Sequence, residues 1–252
     1  MAKRKRRKLT KAQARAEAQR RKRQRQILWT VAGVVAVAVV VVLILIAISG
    51  GENGELVTPE PLRSDIETGV TAEGYPYRGS ADAPVTIVEL SDYNCPVCAD
   101  FNLSTTPLID DELVATGDVK YVVHPFALYS ESVPIVETAL CAKEQGGGFW
   151  NFHHLLFANQ QRFSTRQPPS RALLREIAEA SGLDVDQFQA CLDEGRTAEA
   201  EAATRQGKEE LGVNSTPTFF VNGVKTQLLR NEAYIDTLRK AVEAAKAAGS
   251  SE

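Results

Sequence analysis

Cys95 and Cys98 stand two residues apart in the stretch SDYNCPVCAD, with Pro96 directly after the first. Two thiols at this spacing can close a static disulfide, supply half of a metal site, or exchange disulfides with other thiols. A structural zinc site takes about four Cys or His ligands. The chain has one CxxC and three histidines, two of them the adjacent His153 and His154. A static bridge closing so short a loop adds little chain-entropy stabilisation. The residues therefore favour exchange chemistry.

The neighbouring sequence distinguishes the two thiols. PVTIVEL (84–90) reads as a short apolar strand, SDYN as a polar turn, and a helix is expected from Cys95 or Pro96 to about Leu113. Proline suits the first helical position, where its missing N–H costs nothing, and this places Cys95 at the N-cap. A thiolate there faces free backbone N–H groups and the positive end of the helix dipole, both of which lower its pKa. Cys98, one turn further in, is less exposed. Cys95 is thus the expected exchanging thiol and Cys98 the resolving one.

The remaining elements must hold this turn. DVKYVVHPF (118–126) reads as a second strand. Helical patterns fill 132–212, in SVPIVETALCAKEQ, FWNFHHLLFANQ, SRALLREIAEASG, VDQFQACLDEG and TAEAEAATRQGKEELG. TPTFFVNGVKT reads as two strands around Asn222-Gly223, a strong hairpin signal. NEAYIDTLRKAVEAAKAA closes as an amphipathic helix with Asn231 as its N-cap. The order is β-α-β, a helical block, then β-β-α. This is one α/β domain over 81–248, with a helical insertion at about 132–212.

Charge and hydropathy place the domain. Residues 1–26 carry thirteen Lys or Arg against one acid, Glu17, for a net +12. The remainder carries sixteen Lys or Arg against thirty-one acids, for a net −15. From Ile27 to Ile48 only Thr30 is polar. Those residues span about 33 Å as a helix, enough for a hydrocarbon core of about 30 Å. A cleaved signal peptide is the rival reading, with Ala47 and Ser49 as small-residue cleavage candidates, but its apolar region runs about 7–15 residues. The expectation is an uncleaved transmembrane helix over 27–49, with the basic arm 1–26 in the cytosol. Residues 50–80, rich in Gly, Pro, Thr and acid, read as a flexible linker, and the domain beyond them as extracytoplasmic. The basic arm reads as a topogenic, lipid-facing signal rather than a nucleic-acid site. The acidic remainder shows no basic face, so no nucleic-acid partner is expected.

Two further cysteines, Cys141 and Cys191, fall in helical patterns at spacings that turn them inward. The residues leave three readings open: a disulfide stapling two helices, two buried free thiols, or a second redox relay. His124, His153 and His154 read as core or groove lining, and Trp150, Phe152 and Phe157 as core.

GSADAPVTIVELSDYNCPVCADF resembles the start of a DsbA-like thiol–disulfide oxidoreductase domain. FWNFHHLLFANQ, GLDVDQFQACL and GVNSTPTFFVNG resemble its later segments, so that the likeness covers about residues 78–246. The resemblance implies a thioredoxin fold with a helical insertion and a cis peptide bond before Pro217. Thr216, preceding it, would line the substrate surface with it. A cis-proline loop beside a CxxC can offer its backbone edge to an extended peptide. The resemblance also implies a buried acid at Glu89, six residues before Cys95, able to take or return the Cys98 proton. On residues alone Glu89 reads equally as a strand-edge surface side chain. Cysteines spaced like Cys141 and Cys191 occur in some extracytoplasmic members, which supports their pairing. The implied partners are exported cysteine-containing proteins and a quinone-linked membrane reoxidase of DsbB-like or vitamin-K-epoxide-reductase-like type. No bound cofactor or metal is implied, because the two sulfurs carry the electrons. An outward reductase or isomerase, and a non-catalytic metal- or peptide-binding protein, stay as alternatives. One departure stands out: Val97 occupies the position of a histidine that stabilises the thiolate in the best-known DsbA. A less oxidising pair than that protein's, whose potential is about −120 mV, is expected.

Overall fold

The computed structural model describes residues 22–35, 37–41, 54–163, 167–228 and 233–249. The chain divides into two compact units, Met1–Asn53 and Gly54–Glu252. In the first, helix α1 (Lys22–Val41) is long and apolar enough to cross a membrane. Thr30, the one polar side chain of its apolar stretch, donates back to the carbonyls of Gln26 (3.0 Å) and Ile27 (2.8 Å), so its hydroxyl needs no water. The rest of the expected span, 42–49, and residues 1–21 of the basic arm lie outside the described residues.

The second unit is built on a sheet of six strands: β1 (Thr68–Val70), β2 (Pro76–Arg78), β3 (Val85–Ser91), β4 (Val119–Pro125), β5 (Thr218–Val221) and β6 (Val224–Thr226). They lie in the order β1-β2-β4-β3-β5-β6. Only β3 and β4 run parallel; the other neighbours are antiparallel. The central strand β3 is buried on both sides. Val85 and Ile87 face the main core, while Leu90 packs with Phe126, Val213 and Phe220 on the other face. By the two-residue alternation of a strand, Glu89 shares the side of Val85 and Ile87. Asn222 (φ 44°) and Gly223 (φ 80°) turn the expected hairpin. Asn222 also accepts the Thr86 N–H at 2.7 Å, continuing the ladder past the turn.

The helix expected over 95–113 is interrupted. It forms as α2 (Pro96–Ser104), α3 (Thr106–Ile109) and a π-helical turn, Asp110–Val114. Pro107 has no N–H to offer the preceding turn, which accounts for the break. The insertion comprises α4 (Val133–Lys143), α5 (Gly148–Ala158), α6 (Arg171–Ala180), α7 (Val185–Glu194) and α8 (Thr197–Arg205), the last running into a π turn, Gln206–Glu210. That turn lies against the second sheet face at Gly207, where an added Cβ would stand 2.6 Å from the Phe126 ring. The closing helix α9 (Tyr234–Gly249) buries Ile235, Leu238 and Val242. Asn231, its expected cap, lies outside the described residues.

Over its described part, 54–80, the flexible linker expected at 50–80 is corrected by β1 and β2, which belong to the sheet, and by the docking of the residues before them. Val57 and Asn159 exchange two hydrogen bonds, N–H to Oδ1 and Nδ2 to O, both at 2.9 Å. The Asn159 amide thus stands in for one rung of a strand ladder. His154 Nε2 donates to the Glu60 carbonyl (3.2 Å), and Leu62 is buried. Arg78 donates to the Arg63 carbonyl (2.8 Å), lies 2.8 Å from the buried Asp110 carboxylate, and sits 5.1 Å from the Trp150 ring centre. Three-residue strands carry no periodic signal, and their holding partners lie far off in sequence, so the composition alone suggested a tether.

Cys141 on α4 and Cys191 on α7 form a disulfide across 50 residues, with Cα atoms 5.7 Å apart. In the chain-entropy account a loop of that length is worth about 4 kcal/mol. The Cys141→Ala/Cys191→Ala variant is expected to lose about 2–4 kcal/mol in guanidinium unfolding while Cys95 still exchanges with a dithiol. A loss below about 0.5 kcal/mol would mean that α4 and α7 are held by packing alone.

Candidate active site

Strand β3 ends at Ser91, and the turn to α2 is tied before the first cysteine is reached. The buried Asp92 carboxylate accepts the N–H groups of Asn94 and Leu128, both at 2.7 Å, and its carbonyl accepts the Cys95 N–H at 2.9 Å. The insertion grips the same turn. Gln160 Nε2 donates to the carbonyls of Tyr93 (2.7 Å) and Cys95 (2.9 Å). Asn94 Nδ2 donates to Ser132 Oγ (2.9 Å), and the Tyr93 hydroxyl pairs with His153 Nδ1 (2.7 Å). With its main chain so held, Cys95 adopts the extended N-cap conformation (φ −84°, ψ 116°), with Pro96 opening α2.

The two sulfurs then differ as burial and helix geometry require. Cys95 is half-buried and Cys98 fully buried. The Cys95 thiol is pulled down to about 6. The largest cause is the hydrogen bond from the Cys98 thiol, and the Thr216 side chain and the backbone N–H groups of Cys98 and Val97 add to it against the opposing effect of burial. The Cys98 thiol is pushed far up, first by burial and then by its bond to Cys95. Val97 is 48% exposed and brings no side-chain donor, so main-chain groups and the second thiol replace what a histidine would supply.

The opposite wall is the loop before β5. The Thr216–Pro217 peptide bond is cis, and the Cys95 thiol donates to the Thr216 carbonyl at 3.5 Å. An open groove of about 610 Å³ runs from Val97 along Thr216 and Pro217 to Leu228 and Tyr234.

Glu89 is fully buried rather than on the surface. It pairs across the sheet with Val123 on β4 and Phe219 on β5. The Phe219 ring lies 4.6 Å from that of Phe101 on α2, which puts the carboxyl under the helix that carries Cys98. Ser91 Oγ donates to one carboxylate oxygen and Tyr121 Oη to the other. Burial lifts this acid to about 7, with the two hydrogen bonds opposing it.

The structure thus brings together Cys95, Pro96, Cys98, Thr216 and Pro217, with Glu89 behind them. The three histidines are buried, and burial pushes His153 to about 3 and His154 to about 4, so they are neutral packing groups. Asp92 and Gln160 were not read from the sequence as site residues. Asp92 had a local signal, an acid opening a polar turn where it can accept from the N–H two residues on. Gln160 had none, because its partners lie 65 and 67 residues away.

This geometry is that of a CxxC pair arranged for thiol exchange, and the chain is similar to several known proteins. The family model for thioredoxin matches residues 71–244. Disulfide bond formation protein D of Bacillus subtilis is 28% identical over 174 residues, which cover 68% of this chain and 77% of that protein. The crystal structure of oxidised BdbD from Bacillus subtilis superposes with a TM-score of 0.57 at 26% identity, covering 72% of this chain and 98% of that one. The Na(+)/H(+) antiporter NhaA 3 of Salinispora tropica is 36% identical over 154 residues, 58% of this chain; the chain spans about a fifth (21%) of that relative's length. The chain belongs to the thioredoxin family and falls with its DsbA-like thiol–disulfide oxidoreductases.

Alkylation of the reduced chain by iodoacetamide should follow the Cys95 thiolate. The rate is expected to rise about tenfold per pH unit up to about 6 and then level, because the thiol form, filled below the folded pKa, does not react. Cys98 should stay unmodified. A midpoint above pH 8 would contradict the N-cap assignment.

Proposed function

We propose that this chain is a membrane-anchored, extracytoplasmic disulfide oxidase that donates its Cys95–Cys98 disulfide to exported proteins. The observation that carries the reading is the asymmetry of the pair: an accessible thiol of depressed pKa at a helix N-cap, and a buried partner whose thiolate is disfavoured. A stabilised thiolate favours the reduced pair, and a pair that prefers to be reduced gives its disulfide away. The anchor is α1, and the thirteen cationic residues before its apolar stretch support a cytosolic N-terminus.

In this reading an extended substrate segment lies in the groove beside Thr216 and Pro217. Its thiolate attacks Cys95 Sγ. The Cys95–Cys98 bond breaks, and Cys98 leaves as a thiolate that takes a proton from Glu89. A second substrate thiolate attacks the substrate sulfur of the mixed disulfide, and Cys95 departs as the stabilised thiolate. The substrate has lost two electrons to the cysteine pair. A membrane partner of DsbB-like or vitamin-K-epoxide-reductase-like type then reoxidises the pair and passes the electrons to quinone.

A glutathione redox titration of the full chain in detergent, read by alkylation and mass at Cys95 and Cys98, tests the direction of flow. The expected potential lies between about −200 and −120 mV, below the best-known DsbA because Val97 adds no donor. A value near −270 mV, that of thioredoxin, would assign the chain as a reductase.

Trapping tests the roles of the two sulfurs. Cys98→Ser, its Cys95 first loaded as a mixed disulfide with glutathione, should exchange glutathione for a reduced, unfolded cysteine-containing protein and accumulate that mixed disulfide through Cys95, and Cys95→Ser treated in the same way should accumulate none. Equal trapping by both variants would overturn the division of labour.

A further inference from the structure

Glu89 is held more firmly than a lone buried acid needs to be. Both carboxylate oxygens receive a hydroxyl from a buried side chain, Ser91 on its own strand and Tyr121 on β4. Neither donor carries a positive charge, and no salt bridge reaches Glu89 among the described residues. The titratable groups that feel its charge are Tyr121 and Tyr93, both neutral and pushed well up by burial, and Cys98 lies on α2, the helix above it. Beyond them stand the neutral His153, bonded to Tyr93, and Asp110, whose charge bears on Tyr121 and which lies beside Arg78. Its ladder partners are the apolar Val123 on β4 and Phe219 on β5, and α9, which packs on β3 and β5, buries only apolar side chains, Ile235, Leu238 and Val242, among the described residues. The ionised form of Glu89 therefore depends on two neutral hydroxyl donors alone.

We propose that Ser91 and Tyr121 are positioning residues for thiol exchange, which keep Glu89 able to exist as a carboxylate and so to accept the Cys98 proton. Without them the buried acid stays protonated and can serve only as a donor. The two half-reactions then separate. Giving a disulfide away needs Glu89 to yield a proton to the departing Cys98. Regaining one needs Glu89 to take that proton, as the Cys98 thiolate attacks Cys95 Sγ in a mixed disulfide and the oxidant's thiolate leaves. Loss of a hydroxyl donor impairs the second half-reaction at neutral pH and spares the first. The inference rests on the proposed role of Glu89 beneath the cysteine pair.

The test is reoxidation of the reduced full chain by oxidised glutathione, with the two steps followed separately by quenching and mass. In the first, Cys95 thiolate attacks glutathione disulfide and releases one glutathione thiolate. In the second, Cys98 closes on Cys95, the glutathione–Cys95 bond breaks, and the Cys98 proton passes to Glu89. In the unsubstituted protein the second step is expected to rise with pH through about 7. Tyr121→Phe should move that inflection upward by about one pH unit, the order expected when a carboxylate loses one hydrogen bond, and leave the first step unchanged. Ser91→Ala should act likewise, and Ser91→Thr, which keeps the hydroxyl, should restore the profile. In a Glu89→Gln background Tyr121→Phe should have no further effect. An unshifted inflection in both Tyr121→Phe and Ser91→Ala, with Glu89→Gln slow, would overturn the positioning role alone. A Glu89→Gln variant as fast as the parent would overturn the role of Glu89 itself. Equal slowing of both steps in Tyr121→Phe would mark a general structural defect and count against the proposal.

Discussion

The site depends on the first turn of α2 having N–H groups to spare. A helix start leaves donors without intrahelical partners, and in most helices a serine, threonine or acid side chain takes one of them. Here the N-cap residue is Cys95, and it makes no side-chain cap bond. The donors are left for whatever charge the sulfur acquires. Pro96 opens the helix without adding an N–H. The thiolate is therefore stabilised by the Cys98 thiol first and by the backbone N–H groups of Val97 and Cys98 besides, so position 97 need bring no side-chain donor, which is how Val97 can stand there.

A backbone device works only if the backbone is fixed, and this explains the density of bonds around SDYN. Asp92 closes the turn from within, while Gln160, Ser132 and His153 hold it from the insertion. Gln160 is followed back in the chain by Asn159, which holds the segment at Val57. Two adjacent amide side chains at the end of α5 thus fasten the entry of the folded unit and its reactive turn. The insertion is part of the site's frame rather than an ornament on the sheet.

Much of this was legible in the sequence, and what was missed shares one cause. Cys95, Pro96 and Cys98 announce themselves because their chemistry is local: a strand, a turn, and a proline fixing where the helix begins. The five helices of the insertion carry their own periodicity, and Asn222-Gly223 carries its own turn geometry. Thr216 and Pro217 are local as a motif but point to the cysteines only through the family likeness, since 121 residues separate Cys95 from Thr216. Glu89 was ambiguous because a strand's alternation does not say which of its two faces is covered. The residues 54–80 were misread because Asn159, Arg78 and His154 anchor them one bond at a time, and a hydrogen bond to a distant side chain leaves no trace in local composition.

The Cys141–Cys191 bridge makes this chain a product of the chemistry it carries. A newly made copy reaches its stapled form only by giving up two electrons to some oxidant, so its stability is tied to the redox poise of its surroundings. Where oxidant is plentiful, the loop between α4 and α7 closes and the frame that grips Cys95 is secured. Where oxidant is scarce, new copies keep two thiols in place of the bridge and forfeit a few kcal/mol, a large share of the margin by which a domain of this size stays folded. The supply of well-folded protein thereby follows the oxidising capacity of the compartment, through a bond remote from the reactive pair.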